Sequence, residues 1–195
     1  MPMALDALSD VSDEALLVLY ANGDPWAARA LTLRLAPRLL GFAARMLADR
    51  TEAEDVTQEA MLRLWRMAPD WRQGGTGVST WLYRVASNLC LDRLRKSRPR
   101  GLEDVAEPED AAPGVVARLI EADRMQALDR ALAALPDRQR QAIVLRHIEG
   151  LTNPEIAAVM DIGVEAVESL VARGKKGLAA LLSGQRAELG YEDGG

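Results

Sequence analysis

The sequence predicts an all-α protein of two small helical domains joined by a flexible acidic linker, with a helix-turn-helix in the second domain. Three observations predict it. Leu, Ala and Arg dominate, aromatic residues make up only 4% of the 195 residues, and β-branched runs are short, a composition that favours helix over sheet. Apolar residues recur at helical spacing rather than alternating, as in Val56, Ala60 and Leu64 at i, i+4, i+8. Residues 99–113 (PRGLEDVAEPEDAAP) are rich in proline and acid and have no helical period, which marks a linker. The expected units are therefore 1–98, the linker 99–113, and 114–195.

Taken in order, residues 12–20 form the first helix, with Gly23 past its end. A second runs over 25–49, with a kink or break expected at Pro37, which cannot donate to the helical ladder. Thr51-x-x-Glu54 reads as a capping box opening a third helix to about residue 67. Gly74, Gly75 and Gly77 make residues 71–78 a loop, and a long helix follows over 80–97 until Pro99. In the second unit Val116, Leu119, Met125, Leu128 and Leu132 give a helical stripe. Pro136 suits the first position of the next helix, which Gly150 terminates. Thr152-Asn153-Pro154-Glu155 is a second capping box, followed by a short helix to Met160, a turn at Asp161-Ile162-Gly163 and a last helix to about Leu182.

Residues 153–173 fit a helix-turn-helix. Ile156, Ala157, Met160, Ile162, Val167 and Leu170 supply the apolar pattern, with Ala157 as the small residue at the crossing. Asp161 stands at the turn, where it tolerates left-handed geometry. The second helix would enter the major groove with Ala166, Glu168, Ser169 and Arg173 outward and Lys175 and Lys176 near its end. The plainer reading is an ordinary helical hairpin.

A second informative stretch is 78–98 (VSTWLYRVASNLCLDRLRKSR), a basic helix with Trp81 and Tyr83 near its start. Arginines hold phosphates and aromatics stack on unpaired bases, so this helix suits single-stranded DNA, and the glycine-rich loop before it suits a flipped base. Against this stands the reading in which Trp81, Leu82, Val85, Leu89 and Leu94 are core and the arginines are solvated.

Charge and special residues narrow the function. The net charge is −5, but it is segregated: 84–100 carries Arg84, Arg93, Arg95, Lys96, Arg98 and Arg100 against Asp92 alone, whereas 103–110 is purely acidic. Cys90 is the only cysteine, so no internal disulfide forms, and it reads as a small buried hydrophobe. No apolar stretch approaches the roughly 20 residues of a membrane span, and the N-terminus lacks a signal-peptide pattern, so a cytoplasmic protein is expected. His147 is the only histidine. No phosphate-binding loop, metal-ligand spacing or nucleophile elbow is present, so neither an enzyme nor a cofactor or metal site is expected.

The order of pieces resembles the extracytoplasmic-function (group IV) sigma factors of bacterial RNA polymerase, in the sigma-70 family. Ala53-Glu54-Asp55-Val56-Thr57-Gln58-Glu59, Trp65, Ser79-Thr80-Trp81-Leu82-Tyr83, Ala86, Asn88 and Asp92-Arg93-Leu94-Arg95 resemble their promoter-melting domain. Leu135-Pro136-x-Arg138-Gln139-Arg140, Leu145-Arg146, Glu149-Gly150-Leu151-Thr152 and Glu155-Ile156-Ala157 resemble their second domain. Each motif is weak alone; their joint order is specific.

The resemblance implies a factor for transcription initiation, with a role in stress response. Asp55, Gln58, Glu59 and Leu62 would dock on the clamp helices of the largest subunit of core RNA polymerase. Gln73, Thr76, Ser79, Thr80, Trp81, Arg84, Asn88, Arg93, Arg95 and Lys96 would capture the opened minus-ten element of promoter DNA. Ala166, Glu168, Ser169, Arg173, Lys175 and Lys176 would read the minus-thirty-five element. The acidic linker would lie in the polymerase's RNA exit channel, and an anti-sigma factor would be a further partner.

Two departures bear on promoter choice: Ser87 stands where the family often has Arg, and Glu168 and Leu170 stand where many members have Lys and Arg. Gly174 inside the last helix is expected to cost about 1 kcal/mol relative to Ala. The rival reading is a conventional helix-turn-helix regulator that binds duplex DNA without polymerase. It leaves the tryptophan-and-arginine helix and the acid-rich face unexplained.

Overall fold

The computed structural model describes residues 8–97 and 116–188, with backbone alone for 116–124 and 184–188. Helices α1 (Asp13–Ala21), α2 (Pro25–Leu47), α3 (Arg50–Met67) and α4 (Val78–Ser97) form the first unit; α5 (Val116–Ala133), α6 (Asp137–Ile143), α7 (Asn153–Met160) and α8 (Val164–Glu188) form the second. The linker, Arg98 and Arg100 lie outside the described residues.

Helix starts follow the side chains that can accept an orphan N–H. The Ser12 hydroxyl accepts from Ala15 N at α1, and the Asp24 carboxylate accepts from Trp26 N at α2, with Pro25 in the first turn. At α3 the expected Thr51 box gives way to Asp49, whose carboxylate accepts from Glu52 N at 3.0 Å. Ala48 ends α2 in the left-handed region (φ 52°), so the turn is only two residues long and the earlier of the two caps is used. Thr51 then falls inside the first turn.

Pro37 does not break α2: the helix runs unbroken from Pro25 to Leu47. Pro37 and its neighbour Leu33, 60% exposed, lie on the outer side, where the carbonyl freed by the missing N–H can meet water. Leu31, Leu35 and Leu39 on the inner side are buried and tie both halves to the core.

That core joins Leu16, Leu17, Phe42 and Met46 to the fully buried Val56, Ala60 and Leu64 of α3 and to Leu82, Ala86 and Leu89 of α4. In the second unit Leu132, Leu145, Ile156 and Val167 are its fully buried apolar anchors. Of the stripe expected on α5, Leu132 is buried, Leu128 is partly buried and Met125 is exposed. The side chains of Val116 and Leu119 lie outside the described residues.

Pro136 caps α6 from just outside rather than occupying its first position. After Ile143 the chain widens into a π turn, Val144–Ile148, closed by Glu149 N donating to the Val144 carbonyl at 3.0 Å. Gly150, at φ +75°, ends it as expected.

Gly174 reverses its expected role. It is buried where α8 crosses α6, and its missing side chain is what allows the close approach. The two units also touch: α4 packs along α7, and α2 meets α5 and α6.

Candidate nucleic-acid interface

Helix α3 separates its two faces cleanly. Its buried stripe leaves Asp55, Gln58 and Leu62 exposed on the other side, with Leu62 at 46%. Glu59 is half-buried and accepts from Arg63 one turn on, at 2.5 Å. Beside Leu62 and Gln58 runs an apolar groove of about 330 Å³, whose other wall is Thr32, Ala36 and Leu40 of α2. Sequence reasoning found the α3 wall and missed the α2 wall. The signal was present as small and apolar residues at i, i+4, i+8 on α2.

The residues expected at single-stranded DNA divide by exposure. Gln73 and Thr76 are exposed in the loop, and Ser79 is half-buried. Thr80 is buried at 5% in the first turn of α4. Trp81 is half-buried, edge-on to Trp71 with centroids 6.4 Å apart. Arg84 and Asn88 are exposed, and their spacing from Trp81 at i, i+3, i+7 puts all three on one face of α4.

Near the end of α4, Arg93 is held by Glu52 at 2.6 Å and Arg95 pairs with Asp92, while Lys96 is exposed. Ser87 is completely buried with no partner for its hydroxyl, and this packing leaves no room for a side chain as large as arginine.

Tyr83 does not join the stacking surface. It is 3% exposed, packs edge-on against Phe42, and donates its hydroxyl to the Glu149 carboxylate of the second unit. Burial and then Glu149 raise its pKa, which keeps the hydroxyl a donor.

The helix-turn-helix has the expected local chemistry. Thr152 accepts from Glu155 N, and the Glu155 carboxylate accepts from Thr152 N at 2.7 Å, so both halves of the capping box form. The hydrogen bonds to the Thr152 hydroxyl and backbone hold Glu155 below the usual carboxylate range. Asp161 takes the left-handed conformation (φ 54°, ψ 51°). Val167 is fully buried, Ala157 and Leu170 are partly so, and Ala166, Glu168, Ser169, Arg173, Lys175 and Lys176 all face solvent.

Cys90 is fully buried, and burial pushes its thiol up to about 12. His147 is exposed; desolvation together with Lys175 and Arg146 lowers its pKa. Among the described residues no cluster of His, Cys, Asp or Glu could hold a metal ion, and no helix is long and apolar enough to cross a membrane.

Comparison with known proteins adds the wider context. The family model for Sigma-70 region 2 matches residues 31–100, and that for Sigma-70 region 4 matches residues 125–178. The RNA polymerase sigma-H factor of Pseudomonas aeruginosa is 31% identical, over 88% of this chain and 94% of its own length. The ECF RNA polymerase sigma factor SigM of Mycobacterium tuberculosis is 36% identical, over 88% of this chain and 85% of its own. Among solved structures, CnrH in complex with the cytosolic domain of CnrY superposes with a TM-score of 0.68 at 27% identity, covering 88% of this chain and 97% of that one.

Proposed function

Because the chain belongs to the extracytoplasmic-function sigma factors of the sigma-70 family, which bring core RNA polymerase to promoters and act without catalysis of their own, we propose that its separate surfaces divide that work. The α3 face of Asp55, Gln58, Glu59 and Leu62 docks on the clamp helices of the largest polymerase subunit. Its carboxylates suit basic partner residues, and the groove beside Leu62 suits an apolar side chain.

The loop at Gln73 and Thr76, with Trp81, Arg84 and Asn88, captures the opened minus-ten element, and Arg93, Arg95 and Lys96 hold its phosphates. The outward face of α8 reads the minus-thirty-five element. The domain limits follow as 1–98, 99–113 and 114–195, with the acidic linker in the RNA exit channel. The factor works in the cytoplasm and is restrained by an anti-sigma protein, as CnrH is found with CnrY.

The observation that carries this reading is the order of the two matched regions within one chain, with a charged face, a basic aromatic helix and a helix-turn-helix in the same order. The test is in-vitro transcription by core polymerase over genomic DNA. Discrete start sites that require the added chain are expected. Strong, specific duplex binding by the chain alone, with no effect on polymerase, would instead favour a conventional regulator.

A further inference from the structure

Gly174 lets α8 press against Ile143, the last residue of α6, and so brings Lys175, the next residue of α8, near the π turn that continues α6. On that turn Arg146 and His147 are both exposed, as is Lys175. Arg146 donates to the Leu151 carbonyl at 2.9 Å, which tethers its guanidinium beside the start of α7. Among the described residues none of the three forms an ion pair. The contrast with the first unit is clear: there Arg63, Arg93 and Arg95 are each matched by a carboxylate. Like charges gathered without a counter-ion repel one another, and an anion set among them relieves that repulsion.

The acids and bases packed around the turn are committed elsewhere. Glu149 on the turn itself takes Tyr83 and, from α2, Arg38. Glu155 of α7 is held by Thr152. On α6, Arg140 donates to the Leu132 carbonyl at 2.9 Å and lies 3.8 Å from Asp137. The charges felt by His147 are therefore those of Lys175 and Arg146.

We infer that Arg146, His147 and Lys175 hold a backbone phosphate of duplex DNA at the rim of the groove, and that His147 takes up a proton as that phosphate arrives. The assignment rests on the sigma-factor reading above, in which the outward face of α8 reads the minus-thirty-five element. Lys175 follows Glu168 by seven residues, two turns along the same face and about 10 Å along the axis. The major groove is about 12 Å wide, so a helix engaged at Glu168 brings the cluster to the phosphates that border it. In the free chain desolvation, then Lys175 and Arg146, hold the imidazole below its ordinary pKa, so it is uncharged at neutral pH. A phosphate beside it favours the charged form. Binding therefore tightens as pH falls through the range in which the bound imidazole is protonated and the free one is not.

The test uses holoenzyme assembled from core polymerase and the full chain, bound to a promoter duplex at pH 6 and pH 8. His147→Gln removes the proton site, and His147→Lys makes the charge permanent. The side chain is exposed, so both variants should keep the parent's circular dichroism. At pH 8 the parent should bind like His147→Gln and more weakly than His147→Lys. At pH 6 it should bind about threefold or more tightly than His147→Gln. Affinity should fall with salt more steeply for His147→Lys than for His147→Gln, by about 0.9 in the logarithmic slope for one phosphate. Replacing single phosphates around the minus-thirty-five element by neutral methylphosphonates should reveal a position at which parent and both variants bind alike at pH 6.

Parallel pH profiles for the parent and His147→Gln, with promoter preference intact, overturn the phosphate site alone. So does a scan in which no phosphate position abolishes the difference between His147→Lys and His147→Gln. If the parent confers no preference for promoter over scrambled duplex at either pH, the sigma-factor reading fails and the site falls with it.

Discussion

Gly174 and Ile143 approach so closely that a Cβ on the glycine would stand 2.6 Å from Ile143 Cγ1, and 3.3 Å from the Gln139 carbonyl oxygen. Helix propensity alone favours Ala over Gly by about 1 kcal/mol, but overpacking a well-filled contact costs about 1–3 kcal/mol. Gly174→Ala should therefore destabilise the second unit, seen as a lower denaturation midpoint. A raised midpoint would show that the α6–α8 contact relaxes freely.

Reversing charge with Asp55→Lys and Glu59→Lys should weaken binding to core polymerase about tenfold or more while leaving the fold intact. The only described ion pair lost is Glu59–Arg63, an exposed i,i+4 contact worth about 0.3–0.5 kcal/mol. Leu62→Ala should weaken binding through the groove. Unchanged affinity in all three variants would place the docking surface elsewhere.

On α8, Glu168→Ala and Ser169→Ala should change which minus-thirty-five sequences are used, since a good base contact discriminates by about 1–3 kcal/mol. Arg173→Ala, Lys175→Ala and Lys176→Ala should lower use of all promoters alike through lost phosphate attraction. A randomised minus-thirty-five library transcribed with each variant separates the two. Identical preferences in Glu168→Ala, Ser169→Ala and the parent would mean that these side chains do not read bases.

The second capping box has a pH signature. The folded pKa of Glu155 is depressed, so its contribution is present above the unfolded value, about 4.3, and is lost as pH falls through the lower folded value. Thr152→Ala should cost about 1 kcal/mol at neutral pH and reduce this acid sensitivity. Denaturation curves at pH 7 and pH 3 test both; a Thr152→Ala chain with the parent's full acid sensitivity would show that another carboxylate governs it.

Local chemistry was legible in the sequence where it closes within a few residues. The Thr152–Glu155 box, the left-handed Asp161, Gly150 at the helix end and the Val56–Ala60–Leu64 stripe all follow from short-range patterns. What the pattern could not show was contact between distant elements. Gly174 reads as a helix weakener until α6 is placed against it, and Tyr83 reads as a stacking aromatic until Glu149 arrives from the other unit. The helix continues through Pro37 for a similar reason: a lost N–H matters less when the freed carbonyl can face water and leucines anchor both halves of the helix. The groove wall at Thr32, Ala36 and Leu40 was missed because its residues are unremarkable until Leu62 stands opposite.

Cys90 gives the first unit an internal clock. The thiol is fully buried and burial pushes its pKa up to about 12, so at neutral pH the native state presents almost no nucleophile. A thiol reagent reacts only during the moments when α4 lifts from its neighbours. When reclosing is fast, the ratio of the observed rate to that of a free thiol is the equilibrium constant for that lifting, with each tenfold slowing equal to about 1.4 kcal/mol. The unmodified sequence thus reports how often α4 comes loose, in isolation or on polymerase, without an introduced probe.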